Sequence, residues 1–336
     1  MHESPENFHF ERGFGRACAA RVGLELDILH DFEHDYAFIG RGLPAGTRRV
    51  KYTGLAGLKK LFKDPYDLVV LLDFPKRERC APGFVWLARE AKAGKKVFVA
   101  NHLIPMPGDN FTGALSRRVK ALAGVDAGYM LEFDDKRLWG ETGLGGKRLL
   151  RRGYATDCEY YKEQGTKPGE YVFSAGSTGR DFEALAAGVK KAGFKLKIFS
   201  DMAPKALPRG VDFKPLSKNL EKLRGAAAGA RAVVVPVRDG HINEAAGNSI
   251  AFLAMALGKP VLTRRTRYMS RFIQDGVNGF LYPILSPDSI VAGLESIKAL
   301  SPAKSLRMGA AARATILKKA NLDSFTASLL NRFLKK

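Results

Sequence analysis

Short apolar runs alternate with longer amphipathic stretches along almost the whole chain, so the hydrophobic period switches repeatedly between about 2 and about 3.6 residues. In the second half, residues 171–175, 195–200, 211–213, 232–236 and 261–263 read as strands. Helices are predicted over 181–192, 217–226, 287–299, 303–319 and 322–334. The first half repeats the rhythm, with a helix over 10–22, strands at 26–29 and 36–40, and a helix over 54–63. Its clearest buried strand is 67–73, followed by a helix over 83–94 and a strand at 96–100 that delivers Asn101 and His102 to its carboxyl end. A helix over 111–123, a short strand at 127–131 and a helix from Asp134 complete that half. Such alternation predicts α/β domains on parallel sheets, and 336 residues suit two domains of ~150 residues each.

Two turns stand out because each joins a buried strand to a helix, where free backbone N–H groups and the positive end of a helix dipole converge. The first is Gly176-Ser177-Thr178-Gly179-Arg180-Asp181. Arg180 sits at a helix start, where the dipole disfavours a cation unless an anion lies nearby, and a guanidinium pairs with phosphate through two parallel hydrogen bonds. The second is Ala246-Gly247-Asn248-Ser249. Gly247 lets the backbone approach a ligand, while Asn248 and Ser249 supply caps or direct hydrogen bonds. Gly258-Lys259-Pro260 then ends that helix and opens the next strand.

The order of these features between Ala230 and Pro283 resembles the donor-binding half of the nucleotide-sugar glycosyltransferases of GT-B fold, in particular the retaining family-4, or group 1, transferases. The segment Gly153-Tyr154-Ala155-Thr156-Asp157, with the linker 164–169 after it, resembles the hinge of that family. The resemblance implies two Rossmann-like domains facing each other across a cleft. Residues 1–160 would form the acceptor-side domain, 161–320 the donor domain, and 321–336 a terminal helix that returns to the first domain. It further implies that Gly176, Ser177, Gly179, Arg180, Gly247, Asn248 and Ser249 surround the donor diphosphate, that Arg238 and His241 border the base, and that His102 lies near the donor sugar.

Two positions depart from the family pattern. Where these transferases usually carry a ribose-binding glutamate, this chain has Leu253, and the partner glutamate eight residues earlier is replaced by Ala245, leaving Glu244 as the candidate compensator. The family also begins with an apolar strand and a glycine-rich loop, whereas residues 1–13 are polar. A disordered terminus is expected there. If the segment instead replaces that loop, His2, Glu3, His9 or Glu11 would approach the acceptor.

Charge narrows the partners without choosing among them. The net charge is +21, residues 166–336 carry 28 basic against 12 acidic side chains, and residues 41–96 carry 14 against 5. Such a field attracts nucleotide diphosphates, anionic lipid headgroups or DNA. The cluster Arg48, Arg49, Lys51, Lys59 and Lys60 is a candidate membrane-facing patch. Three scattered cysteines, Cys18, Cys80 and Cys158, suggest free thiols and no zinc site. No apolar run is long enough to span a bilayer and no signal peptide is evident, so a cytoplasmic protein, peripheral on the inner face of the membrane, is expected. The function implied is metal-independent transfer of a hexosyl group, with retention, from a UDP-sugar to a lipid-linked or cell-envelope glycan. Alternatives are glycosylation of modified bases in DNA and a catalytically silent basic binding module.

Overall fold

The computed structural model describes residues 5–30, 46–72, 81–100, 124–130, 149–151, 154–162, 169–202, 207–216, 220–240 and 245–334. The chain divides into two compact units, Met1–Asp157 with Leu322–Lys336, and Cys158–Asn321.

In the first unit, strands β3 (Tyr66–Leu72), β4 (Ala93–Ala100), β5 (Ala127–Met130) and β6 (Leu149–Arg151) form a parallel sheet in that order. A separate parallel pair joins β1 (Leu26–His30) to β2 (Thr47–Lys51), with Ile28 opposite Arg49. Alternation along β3 decides which residues meet which helices. Val69 and Leu71 face α2 (Gly54–Leu61) and α3 (Ala81–Arg89), packing with Leu58, Phe84 and Leu87. Leu68, Val70 and Leu72 face the other way, toward α1 (Pro5–Ala19) and α9 (Leu322–Phe333), where Phe10, Phe14, Phe325 and Leu329 are buried. A cavity of about 440 Å³ lies between β1 and β3.

The amino-terminal stretch departs from expectation, because it is helical from Pro5, His9 and Glu11 are buried, and Arg12 and Arg16 are partly buried rather than solvated. Three of them converge on Asp157, which is 1% exposed. Arg12 Nε and Arg16 Nη2 each donate to its carboxylate at 2.9 Å, and His9 Nδ1 lies at 3.4 Å. Arg16 also donates to Asp323 at the start of α9, and the Thr326 hydroxyl donates to the Gly13 carbonyl, so the first and last helices are joined at the same place. His9 and Glu11 are therefore structural: Glu11 accepts from Arg49 at 2.9 Å. That pair and the two-point contact of Arg48 with Asp27 (2.8 and 3.0 Å) remove two charges from the supposed membrane patch, leaving Lys51, Lys59 and Lys60 exposed. The strand expected at 36–40, the helices at 111–123 and from Asp134, and Cys80 lie outside the described residues; Cys18 is a buried free thiol and Cys158 is buried.

The second unit holds one six-stranded parallel sheet in the order β12-β11-β10-β7-β8-β9. Its strands are β7 (Tyr171–Ala175), β8 (Lys195–Phe199), β9 (Val211–Lys214), β10 (Ala232–Val235), β11 (Val261–Arg264) and β12 (Phe280–Tyr282). The central strands β7 and β10 are buried along almost their whole length because helices cover both faces. Those helices are α4 (Phe182–Lys191), α5 (Leu220–Ala228), α6 (Asn248–Ala256), α7 (Pro287–Lys298) and α8 (Pro302–Lys319). Asp181 caps α4 by accepting from Ala184 N at 2.9 Å, and Ser286 and Ser289 form a reciprocal cap on α7. Among the described residues, no helix is long and apolar enough to cross a membrane.

Burial alone would raise the pKa of Asp157, but His9, Arg16 and Arg12 outweigh it and hold the carboxyl below the usual range. Because folding lowers this pKa, the stabilisation is complete above the ordinary value of 3.8 and is lost as the pH falls below it. Asp157→Asn is expected to cost roughly 3–5 kcal/mol at pH 7. The gap from wild type should narrow at pH 3, as followed by thermal unfolding under circular dichroism; an equal gap at both pH values would contradict this.

Candidate anion-binding site

The site forms in the second unit where the central strands β7 and β10 end side by side. In such sheets the carboxyl edge, where the strand order reverses, is the place at which ligands gather. Beyond β7 the chain enters the turn Gly176–Arg180, with Gly176 at φ 92° and Gly179 at φ 66°, both in the left-handed region that glycine adopts without strain. The turn is zipped to the segment after β10. Arg238 N donates to the Gly179 carbonyl at 2.8 Å and Asp181 N donates to Pro236 at 2.9 Å.

The consequence is that Arg180 folds inward and is only 5% exposed. Its Nη1 donates to the Thr178 carbonyl at 2.7 Å and its Nε to Ala175 at 3.2 Å. Nη2 has no hydrogen-bond partner among the described residues, and no carboxylate among them pairs with the guanidinium. Burial pushes its pKa down to about 10, with Tyr282 acting in the opposite direction, so Arg180 still carries its charge at neutral pH.

A second positive end faces the same place. Helix α6 starts at Gly247, whose φ of 89° turns the chain from the loop into the helix. No side chain caps it, which leaves direct hydrogen bonding as the role open to Asn248 and Ser249. The Ser249 and Ile250 N–H groups have no protein acceptor among the described residues, and the Asn248 Nδ2, on a residue 2% exposed, is likewise unpartnered. A side chain at Gly247 would put its Cβ 3.3 Å from Arg180 Nη2 and 2.3 Å from Val235 Cγ1, and one at Gly176 would come within 2.9 Å of Nη2. Both glycines are thus required for the guanidinium to lie against the start of α6. A buried cation, unfilled amides and an orphaned amide donor share one unmet need, which is an oxyanion.

The remaining expected residues are distributed less simply. Ser177 turns away toward the end of β8, where its hydroxyl contacts Ser200 at 3.2 Å and accepts from Asp201 N at 3.1 Å. Arg238 is more than half exposed at the rim, 3.9 Å from Asp181. His102, His241 and Glu244 lie outside the described residues. Leu253 is a core residue, 2% exposed. Sequence reasoning missed Tyr282. Its hydroxyl donates to the Val235 carbonyl at 2.8 Å and accepts from Val237 N at 2.9 Å, so it holds the loop against which Arg180 packs. Burial raises the phenol's pKa, keeping it the neutral donor this requires. A lone polar ring at the end of an apolar strand was the available signal.

Solved structures resemble the chain over nearly its whole length. HepE of Anabaena, in complex with UDP-glucose, superposes with a TM-score of 0.67 at 12% identity, covering 99% of this chain and 97% of that one. Sucrose-phosphate synthase of Thermosynechococcus elongatus gives 0.66 at 15% identity, over 96% and 92% respectively. TarM of S. aureus, solved with UDP, gives 0.61 at 17% over 84% of this chain and 58% of its own. The chain has the GT-B glycosyltransferase fold. No family model matches the sequence, and no curated protein matches it either. Within the GT-B frame, the two units correspond to two Rossmann-like domains, each on parallel strands.

Gly247→Ala is expected to destabilise the protein by about 2–4 kcal/mol, through the left-handed backbone and the collision with Val235. Chemical denaturation checks it, and an unchanged midpoint would mean that Gly247 is not under this constraint.

Proposed function

We propose that the protein is a glycosyltransferase that binds a nucleoside diphosphate sugar with its diphosphate against Arg180, Asn248 and the first amides of α6. The observation that carries this reading is a buried guanidinium that pairs with no carboxylate among the described residues, set against the open amino end of a nine-residue helix. As the bond between the anomeric carbon and the leaving oxygen breaks, negative charge grows on the diphosphate, and donors already fixed in place stabilise it without reorganising. Arg180 and the helix end supply the positive charge that a metal ion supplies in other transferases, so the reaction proposed is metal-independent.

The donor proposed is a UDP-sugar, supported by the uridine nucleotides in the similar structures of HepE and TarM. Transfer is of a hexosyl group with retention, His102 holding the sugar and Arg238 and Glu244 bordering the nucleoside. With Leu253 buried in the core, the ribose hydroxyls must be held by Glu244 or by backbone rather than by a carboxylate on α6. Exposed Lys51, Lys59 and Lys60 favour an acceptor at an anionic surface, a lipid-linked or cell-envelope glycan reached from the cytoplasmic side.

Arg180→Ala is expected to lower transfer, or donor hydrolysis in the absence of acceptor, by one to two orders of magnitude, with partial recovery in Arg180→Lys. Product release is read by chromatography and the product anomer by NMR. Full turnover in Arg180→Ala would overturn the placement of the diphosphate.

A further inference from the structure

Helix α8 (Pro302–Lys319) packs on the second unit by one face, where Met308, Gly309, Ala312 and Ile316 are buried. Gly309 fixes the approach, because a side chain there would collide with the Gly258 carbonyl just past the end of α6. The opposite face is open to solvent yet not polar. Ala303, Leu306, Ala310, Ala314 and Leu317 are all exposed, and their spacing of three and four residues sets them in one stripe along about four turns. Leu306 is 68% exposed and Leu317 39%. Leucines scattered singly over a surface are ordinary, whereas a stripe in register along one helix is a second apolar face.

The charges beside the stripe are of one sign. Helix α8 contains no acidic residue, and Lys304, Arg307 and Lys318 are exposed with no ion pair among the described residues. The other two cations on the helix are engaged by the protein: Arg313 donates to the Tyr161 carbonyl at 3.1 Å and Lys319 to the Arg271 carbonyl at 2.7 Å. Lys318 suits the carboxyl end of a helix, but Lys304 does not suit its place. It stands in the first turn, directly after the Ser301 cap, where the helix dipole disfavours a cation.

Leucines set among unpaired cations decide between occupants. A second copy of this chain would bring a like-charged helix against α8. Nucleic acid would satisfy the cations but leave the leucines in water. An anionic bilayer meets both needs, with headgroup phosphates for the cations and acyl chains for the stripe.

We propose that the exposed face of α8 is a membrane-docking surface. The helix lies in the plane of an anionic bilayer, with Leu306 and Leu317 below the headgroups and Lys304, Arg307 and Lys318 against lipid phosphates. Docking gives the second unit its own hold on the surface at which the acceptor is proposed. It does not require the donor site, so vesicle binding measured without nucleotide and donor turnover measured without vesicles fail independently.

The test is flotation of the full chain with phosphatidylcholine vesicles, with or without about 30% phosphatidylglycerol, at low salt. The wild type is expected to float with the anionic vesicles and not with the neutral ones. Lys304→Gln/Arg307→Gln/Lys318→Gln should weaken binding roughly a hundredfold, at about fivefold per charge. Leu306→Ser/Leu317→Ser should weaken it at least about tenfold with the salt dependence unchanged, because only the apolar contribution is removed. In Leu306→Trp the new indole should be quenched by brominated acyl chains. Failure of the wild type to bind anionic vesicles would overturn the proposal, as would binding by both multiple variants at wild-type strength. A dimer in solution that Leu306→Ser/Leu317→Ser dissolves would also overturn it and assign the stripe to a second copy.

Discussion

A guanidinium held out of water, with no carboxylate partner among the described residues, is the constraint around which the second unit is arranged. Desolvating a charge is costly unless oxygen acceptors replace the lost water. Two carbonyls, those of Ala175 and Thr178, do part of this for Arg180. Their placement demands the double-glycine turn, the zipper to the loop after β10, and the Tyr282 hydroxyl that fixes that loop. Gly247 is then dictated by space, because any side chain there meets Arg180 and Val235. What remains unmet, at Nη2, Asn248 and the first amides of α6, is what an anion of two or more oxygens satisfies.

The two units treat buried charge in opposite ways, and the contrast separates scaffold from site. Asp157 in the first unit is also buried, yet two guanidinium groups and an imidazole meet it, and those contacts draw α1 to the segment that leads out of the sheet. Its hydrogen bonding is closed and its part is structural. The Arg180 arrangement is open on one side. A buried charge left half satisfied in a native protein points to a group the chain itself does not supply.

Much of this was legible in the sequence because it depends on local chemistry. Apolar β-branched runs such as 232–235 allow little but a central parallel strand, and glycines at strand ends foretell the turns. Arg180 at a helix start is a local conflict in the sequence, and the structure buries it against the start of α6. What escaped was long-range. That Glu11 would find Arg49, or that His9, Arg12 and Arg16 would find Asp157, depends on pairings across 38 to 148 positions. A polar segment whose partners are unseen reads as disordered. Of the two roles the sequence offered Asn248, capping is not the one it takes. Gly247 in the left-handed region already turns the chain, and the Asn248 Nδ2 is buried with no partner among the described residues.

Thermal unfolding of the wild-type protein with UDP, GDP, ADP, TDP and CDP in turn tests the central claim most directly. A ligand present at ~100 times its dissociation constant adds about 2.7 kcal/mol to the folded state. A rise in midpoint that is largest for UDP, and that disappears in Arg180→Ala, is the expected result. No rise with any diphosphate, or a rise that persists in Arg180→Ala, would contradict the assignment of the open face of Arg180 to the donor.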